Sequence, residues 1–331
     1  MLGRPATPSI RGSRLNMNST SPRESRTRFE EITGGLAAPM IAAPMTGVSS
    51  FSLVDAVTRA GVAGSFPVHN CTSPQEVDRW LTSLAAREAS ELGPVIPNLV
   101  VHRTNKRQPE DLRVMVEHRV PAVITSVGSP AHVVPVLHGA GIQVWSDVAS
   151  MKHVRRAIDA GVDALVLLTA GAGGQTGWAN PFPFIRAVRQ LWDGPVILAG
   201  GVCDGTSLLA AQVAGCDLGY VGTPFIATLE SGASDAYRSA VAAADIDDIE
   251  LTSDLTGLAT SMIRSSSARP QRTEAAYDAA VVTEHGGDVI GEAGLFSAGH
   301  TVAGIHQVTP AADLVARFSD EYRRARAAAT L

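Results

Sequence analysis

Leu165-Val166-Leu167-Leu168 runs without a break into Thr169-Ala170-Gly171-Ala172-Gly173-Gly174-Gln175-Thr176-Gly177-Trp178-Ala179-Asn180. An apolar run of strand length that empties into glycines marks backbone that must turn sharply or come close to another group, because glycine gives up the most conformational freedom when ordered. Two further strands end the same way, Val196-Ile197-Leu198-Ala199-Gly200-Gly201 and Leu218-Gly219-Tyr220-Val221-Gly222-Thr223. Three successive glycine-ended strands point to one shared site at their carboxyl ends.

Working outward from this stretch, short apolar segments alternate with helix-length amphipathic ones. The expected strands are Met40-Ala43, Ala63-Phe66, Val95-Val100, Ala122-Ser126, Gln143-Ser146, Ala164-Leu168, Val196-Ala199 and Leu218-Val221. Ala60-Gly61, Ala140-Gly141, Ala160-Gly161 and Ala214-Gly215 sit where helices end before a strand, and Gly93-Pro94 and Gly194-Pro195 serve the same purpose. Strands alternating with helices predict a parallel sheet of the α/β class, and eight of them close a (β/α)8 TIM barrel. An open doubly wound sheet would need a Gly-x-Gly-x-x-Gly turn after its first strand, and Pro39-Met40-Ile41-Ala42-Ala43-Pro44-Met45 is not one.

Outside this core, residues 1–28 are rich in Arg, Ser, Thr and Pro with no hydrophobic period, which predicts a flexible N-terminal arm. Residues 29–234 form the expected barrel. Residues 235–331 break the alternation and are expected to form a helical lobe packed on it, with a closing amphipathic helix over Asp313 to Ala329 and a polar stretch at Ser265 to Asp288.

A chain of 331 residues with net charge −5 and no basic block beyond the N-terminus argues against nucleic acid as a partner. No apolar run nears the roughly 20 residues that span a bilayer. Cys71, Cys203 and Cys216 have neither metal-ligand nor disulfide spacing, which fits a reducing cytoplasm and packing thiols. A small-molecule substrate is expected, and a homo-oligomer is compatible with the composition.

Barrel chemistry sits after the strands. That rule selects Pro44 and Met45, His69 and Asn70, Asn98 and His102, Ser126, Asp147, Gly171 to Gln175, Gly200 and Gly201, and Gly222 and Thr223. Gly200-Gly201 and Gly222-Thr223 follow the last two strands, where backbone N–H groups hold an anion in barrels of this kind, and they suit a phosphate monoester. Asp147 reads equally as a ligand contact or as the cap of a helix near Ser150. Trp145 and Trp178 read as core, and Asp204-Gly205 as a turn and helix start.

Ala43-Pro44-Met45, Ala170 to Gln175, Ala199-Gly200-Gly201-Val202-Cys203-Asp204-Gly205 and Gly222-Thr223-Pro224-Phe225-Ile226-Ala227-Thr228 together resemble the nitronate monooxygenase family, related to the flavin-type enoyl-acyl-carrier-protein reductases. The resemblance implies non-covalent FMN, with its phosphate at Gly200, Gly201, Gly222 and Thr223 and its ring edge near Pro44, Met45, Asn98 and Ser126; Ala43, Asp147, Ala170, Gly171, Gly173 and Gly174 complete the expected cofactor set. FMN is favoured over FAD because there is one phosphate site and no dinucleotide fingerprint.

The chain departs from the family at Gln175, where His is usual, at Pro224, where Arg is usual, and at His300, where Gln is usual. Gln175 and His300 are therefore the catalytic candidates: Gln175 can orient a substrate or donate a hydrogen bond, and His300 reads either as an ordinary loop histidine or, where a proton must be removed, as the relocated base. The implied reaction is oxidation of a small nitronate or acidic-carbon substrate with O₂ as acceptor. NAD(P)H-fed enoyl reduction is the alternative, as is a flavin-binding barrel without turnover.

Overall fold

The computed structural model describes residues 22–87, 92–253, 257–264 and 295–329. Eight parallel strands form one sheet: β1 (Met40–Ala42), β2 (Ala63–Gly64), β3 (Asn98–Val100), β4 (Ala122–Ser126), β5 (Gln143–Val148), β6 (Ala164–Leu168), β7 (Val196–Ala199) and β8 (Leu218–Val221). Each pairs with its sequence neighbour, and β1 pairs with β8, with Ile41 opposite Tyr220. The remaining seam, between β2 and β3, closes through Gly64 N–H to the Pro94 carbonyl (3.0 Å) and Asn98 N–H to the Phe66 carbonyl (2.8 Å). The result is the (β/α)8 barrel that the alternation predicts.

The period of two along each strand divides the core into two layers. Ile41, Ala63, Ile124, Trp145, Val166, Ile197 and Tyr220 fill the barrel interior, while alternate residues such as Met40, Leu99, Val123, Val144 and Leu165 pack outward under the helices. Gly161 ends its helix at φ +82°, as its position predicts.

Besides strand ends that shift by up to three residues, three larger features differ from the sequence expectation. A helix begins at Pro22, inside the stretch expected to be an arm; residues 1–21 lie outside the described residues. This helix plugs the amino-terminal mouth, with Phe29 against Trp145 (5.0 Å between ring centroids) and Ser25 Oγ donating to Asp163 Oδ1 at 2.8 Å. Its buried stripe is only Ser25 and Phe29 among charged neighbours, too sparse to register as a period.

The closing helix, Ala311–Ala329, packs between the helices Gly205–Ala214 and Phe51–Arg59. It thereby occupies the place of the barrel's eighth helix rather than an appended lobe. The lobe is the segment between β8 and this helix, and it is not purely helical. After the helix Asp235–Ala243, Ile249–Thr252 and Thr260–Ile263 pair antiparallel, and the second of these strands pairs with Gly174–Gln175 of the glycine loop. The polar stretch Ser265 to Asp288 lies outside the described residues.

Candidate active site

At the carboxyl-terminal mouth the strand ends and the lobe enclose a cavity of about 230 Å³. Ala43, Pro44 and Met45, Asn98, Ser126, Asp147, Gly171, Gly173, Gly174, Gln175, Gly200, Gly201, Gly222 and Thr223 all line it, as do His69 and Tyr220. Leu258, Thr260 and Ser297 contribute from the lobe.

The walls are fixed by side-chain hydrogen bonds that join one strand end to the next. Asn70 ties the loop after β1, donating to the carbonyls of Met45 (3.0 Å) and Ser49 (3.1 Å) and accepting from Gly47 N–H (3.0 Å). Ser126 Oγ donates to Asn98 Oδ1 across β3 and β4 at 3.2 Å. Gly201 has φ +78° and open space where a Cβ would stand, so a ligand can approach its backbone directly.

Two residues of the expected cofactor and catalytic sets lie outside the lining. Ala170 closes the base of its loop, its N–H donating to the Ala179 carbonyl at 2.9 Å. His300 is exposed, with its ring against Gly171 and its N–H donating to the Gly171 carbonyl at 3.0 Å. His300 therefore lies outside the lining, with its ring beside the wall residue Gly171.

The same contacts revise the reading of the glycine loop. A Cβ on Gly173 would meet Gly299 N at 2.9 Å and Thr223 Oγ1 at 3.0 Å, and one on Gly299 would meet the Gly171 carbonyl oxygen at 2.3 Å. Gly174 N–H donates to Ser297 Oγ at 2.7 Å, and Gly299 N–H to Thr223 Oγ1 at 2.9 Å. Glycines in this loop let two backbones meet, so part of their signal belongs to closure of the lobe over the barrel rather than to ligand approach. Trp178, expected in the core, is 82% exposed. His102 bonds Thr104 at 2.9 Å and does not line the cavity.

Among the described residues, three buried side-chain polar atoms have no hydrogen-bond partner: His69 Nδ1, Asp147 Oδ1 and Tyr220 OH. All three belong to cavity residues. Buried polar atoms are nearly always paired in a folded protein, so three around one cavity mark a place where a polar ligand completes the structure. Asp147 does not cap the following helix, since Ser150 Oγ accepts from His153 N–H there. His69 and Tyr220 were within reach of sequence. The first is a strand-end residue, and the second points inward by the period of β8; what singles them out is the missing partner, a tertiary fact.

Burial sets the charge of this cavity. It pushes the Asp147 carboxyl up to about 8 and the His69 imidazole down to about 4, the latter helped by the charge of Arg107, and it raises the Tyr220 phenol well above its usual range. The lining contains no Lys, Arg or Glu among the described residues. At neutral pH the floor is therefore polar but uncharged.

A family model for nitronate monooxygenase matches residues 95–321. The chain belongs to the nitronate monooxygenase family. A nitronate monooxygenase from Paraburkholderia phytofirmans is 28% identical over 343 residues, covering 88% of this chain and 93% of that one. In fold, the chain resembles FabK from Thermotoga maritima (TM-score 0.77, 22% identity, covering 92% and 98% of the two chains). It also resembles a nitroalkane oxidase from Streptomyces ansochromogenes (TM-score 0.76, 23% identity, 91% and 99%).

Membership makes this protein an FMN-dependent oxidoreductase. The residues present fit that cofactor: an uncharged, partly apolar floor with three unsatisfied polar atoms suits a planar ring with polar edges, and the open backbone at Gly201 suits a phosphate. Among the described residues no helix is long and apolar enough to cross a membrane.

Proposed function

We propose that this protein oxidises a small nitronate, or a similar carbon acid already ionised, with O₂ as electron acceptor. The observation that carries this reading is that, among the described residues, the cavity lining holds no competent base at neutral pH. Gln175, at the usual family histidine position, is a carboxamide and cannot accept a proton. His69, held near 4, is a weak base, and Asp147, held near 8, already carries its proton at pH 7. A nitronate needs no proton removed.

In this reading FMN, when bound, supplies the redox chemistry. Gly200, Gly201, Gly222 and Thr223 hold its phosphate, while Pro44, Met45, Asn98 and Ser126 flank the ring. Gln175 offers carboxamide N–H donors to the anionic substrate. Protonated Asp147 adds an O–H donor from the floor, and the lobe residues Leu258 and Thr260 help to exclude bulk water. An uncharged floor also leaves the anion unrepelled.

The family's relation to flavin enoyl reductases keeps NAD(P)H as the alternative electron source. Anaerobic mixing of the FMN-loaded enzyme separates the two: ethyl nitronate bleaches the oxidised flavin band and NADPH alone does not. Rapid bleaching by NADPH without nitronate would favour the reductase. A cytoplasmic location accords with three cysteines that remain free thiols.

A further inference from the structure

Beside the main cavity lies a second one of about 220 Å³, and the two share Asp147, Leu168 and Gln175 as a common wall. Its far side is different in kind. His153 and Arg156, on the helix Met151–Ala160, line it together with Gly128 and Ser129. We propose that this annex binds an oxyanion, a carboxylate or a phosphate ester, on the tail of the substrate whose reacting carbon lies beside Gln175; the inference extends the reading of the main cavity as the oxidation site.

Three observations support it. No hydrogen bond or ion pair engages the Arg156 guanidinium among the described residues, although it lines a cavity. His153 Nδ1 accepts from Ala149 N–H at 3.4 Å, which puts the ring proton of the neutral imidazole on Nε2 and leaves that nitrogen a donor. Burial, with smaller contributions from the charges of Arg156 and Lys152, holds His153 below its usual pKa, so a neutral ring stands beside two cations.

The backbone at the junction is strained as well. Val127 lines the main cavity with φ +49°, a conformation that β-branched residues rarely adopt, and it directly precedes the annex residues Gly128 and Ser129. Such strain persists where the surrounding structure holds a functional geometry. Asp147, protonated near neutral pH, presents no opposing charge from the shared wall.

The test uses the FMN-loaded enzyme, so that the phosphate cradle of the main cavity is filled, and it needs no turnover. Butyrate and propyl phosphate are titrated beside neutral butyramide, with binding followed by ligand-observed NMR. Either anion is expected to bind at least tenfold more tightly than butyramide. Arg156→Ala should weaken the anion by about tenfold or more and leave butyramide unchanged, while Arg156→Lys should recover part of the loss, since a charge-assisted hydrogen bond carries energy of that order. Tighter propyl phosphate identifies a phosphate-ester tail, and tighter butyrate a carboxylate. Anions that bind no better than the amide, or an Arg156→Ala protein with unchanged anion affinity, would overturn the annex whether or not the enzyme oxidises nitronates. Arg156 is exposed, so unchanged FMN content in the variant checks that the fold is intact.

Discussion

The two mouths of this barrel are built from the same eight strands and finished in opposite ways. At the amino-terminal mouth every prominent polar group has a partner. Asp163 accepts from Ser25, His138 and Val144 N–H, each at 2.8 Å, and Asp217 accepts from Arg26 and Arg189 at 2.9 Å and from Val196 N–H at 2.8 Å. Phe29 seals the interior against Trp145. At the carboxyl-terminal mouth, among the described residues, the floor keeps three buried polar atoms unpaired and no fixed charge. One end is finished by the chain itself, and the other is left for a ligand to finish. Stability and binding can therefore be altered separately.

The largest effects on stability should come from the finished end. Asp163→Ala leaves His138, Ser25 and Val144 N–H without their shared acceptor and should cost about 3–5 kcal/mol. Phe29→Ala opens a cavity over Trp145 and should cost a similar amount, about 3–5 kcal/mol. Urea unfolding measures both losses, and FMN affinity of the folded fraction should stay at the wild-type value. A large loss of flavin affinity with little loss of stability would erase the contrast between the mouths.

The next effect sits at the open end. Gly201→Val forces a side chain into the space above the cradle at φ +78° and should weaken FMN by roughly 10–100-fold, the range for losing hydrogen bonds to a charged group. Fluorescence titration of the apoprotein reads this out. An unchanged affinity would move the phosphate elsewhere.

Asp147 sharpens the comparison through pH. Its carboxyl pKa is about 8 in the fold against 3.8 unperturbed, so the folded state holds a proton that the unfolded chain releases between those values. Stability is spared below pH 4 and is lost progressively as pH rises toward 8. Asp147→Asn removes the titration, so its gain in apoprotein Tm over wild type should grow from pH 5 to pH 8; a constant gain would mean that the carboxyl is not buried in its neutral form. The smallest expected effect is that of Tyr220→Phe. It deletes an unpaired hydroxyl and should change apoprotein stability by no more than about 1 kcal/mol.

Most of the barrel was legible because its signals are local. Apolar runs, helix-ending glycines and strand spacing sit within a few residues of one another, and all eight strands were placed by them. The strand-end rule also brought nearly all the candidate residues to one cavity. What sequence could not show depends on distant partners. Ser25 reads as surface until Asp163, 138 residues away, is placed beside it. The glycine loop reads as ligand contact until Gly299 is seen against Gly173, and His300 reads as a base until its ring is found outside the cavity. The final helix looked appended because its partners, Gly205–Ala214 and Phe51–Arg59, are not its neighbours in sequence.

The central claim is that the open mouth is an uncharged flavin site without a base, suited to a substrate that arrives ionised. Anaerobic stopped-flow reduction of the bound flavin by one nitroalkane, supplied either as the neutral acid or as its preformed nitronate, tests it most directly in wild type and in His300→Ala. The account predicts fast reduction by the nitronate, reduction by the neutral acid no faster than its spontaneous ionisation, and no change in either rate on replacing His300. Fast reduction by the neutral acid, lost in His300→Ala, would contradict it and show that a base outside the cavity reaches the substrate.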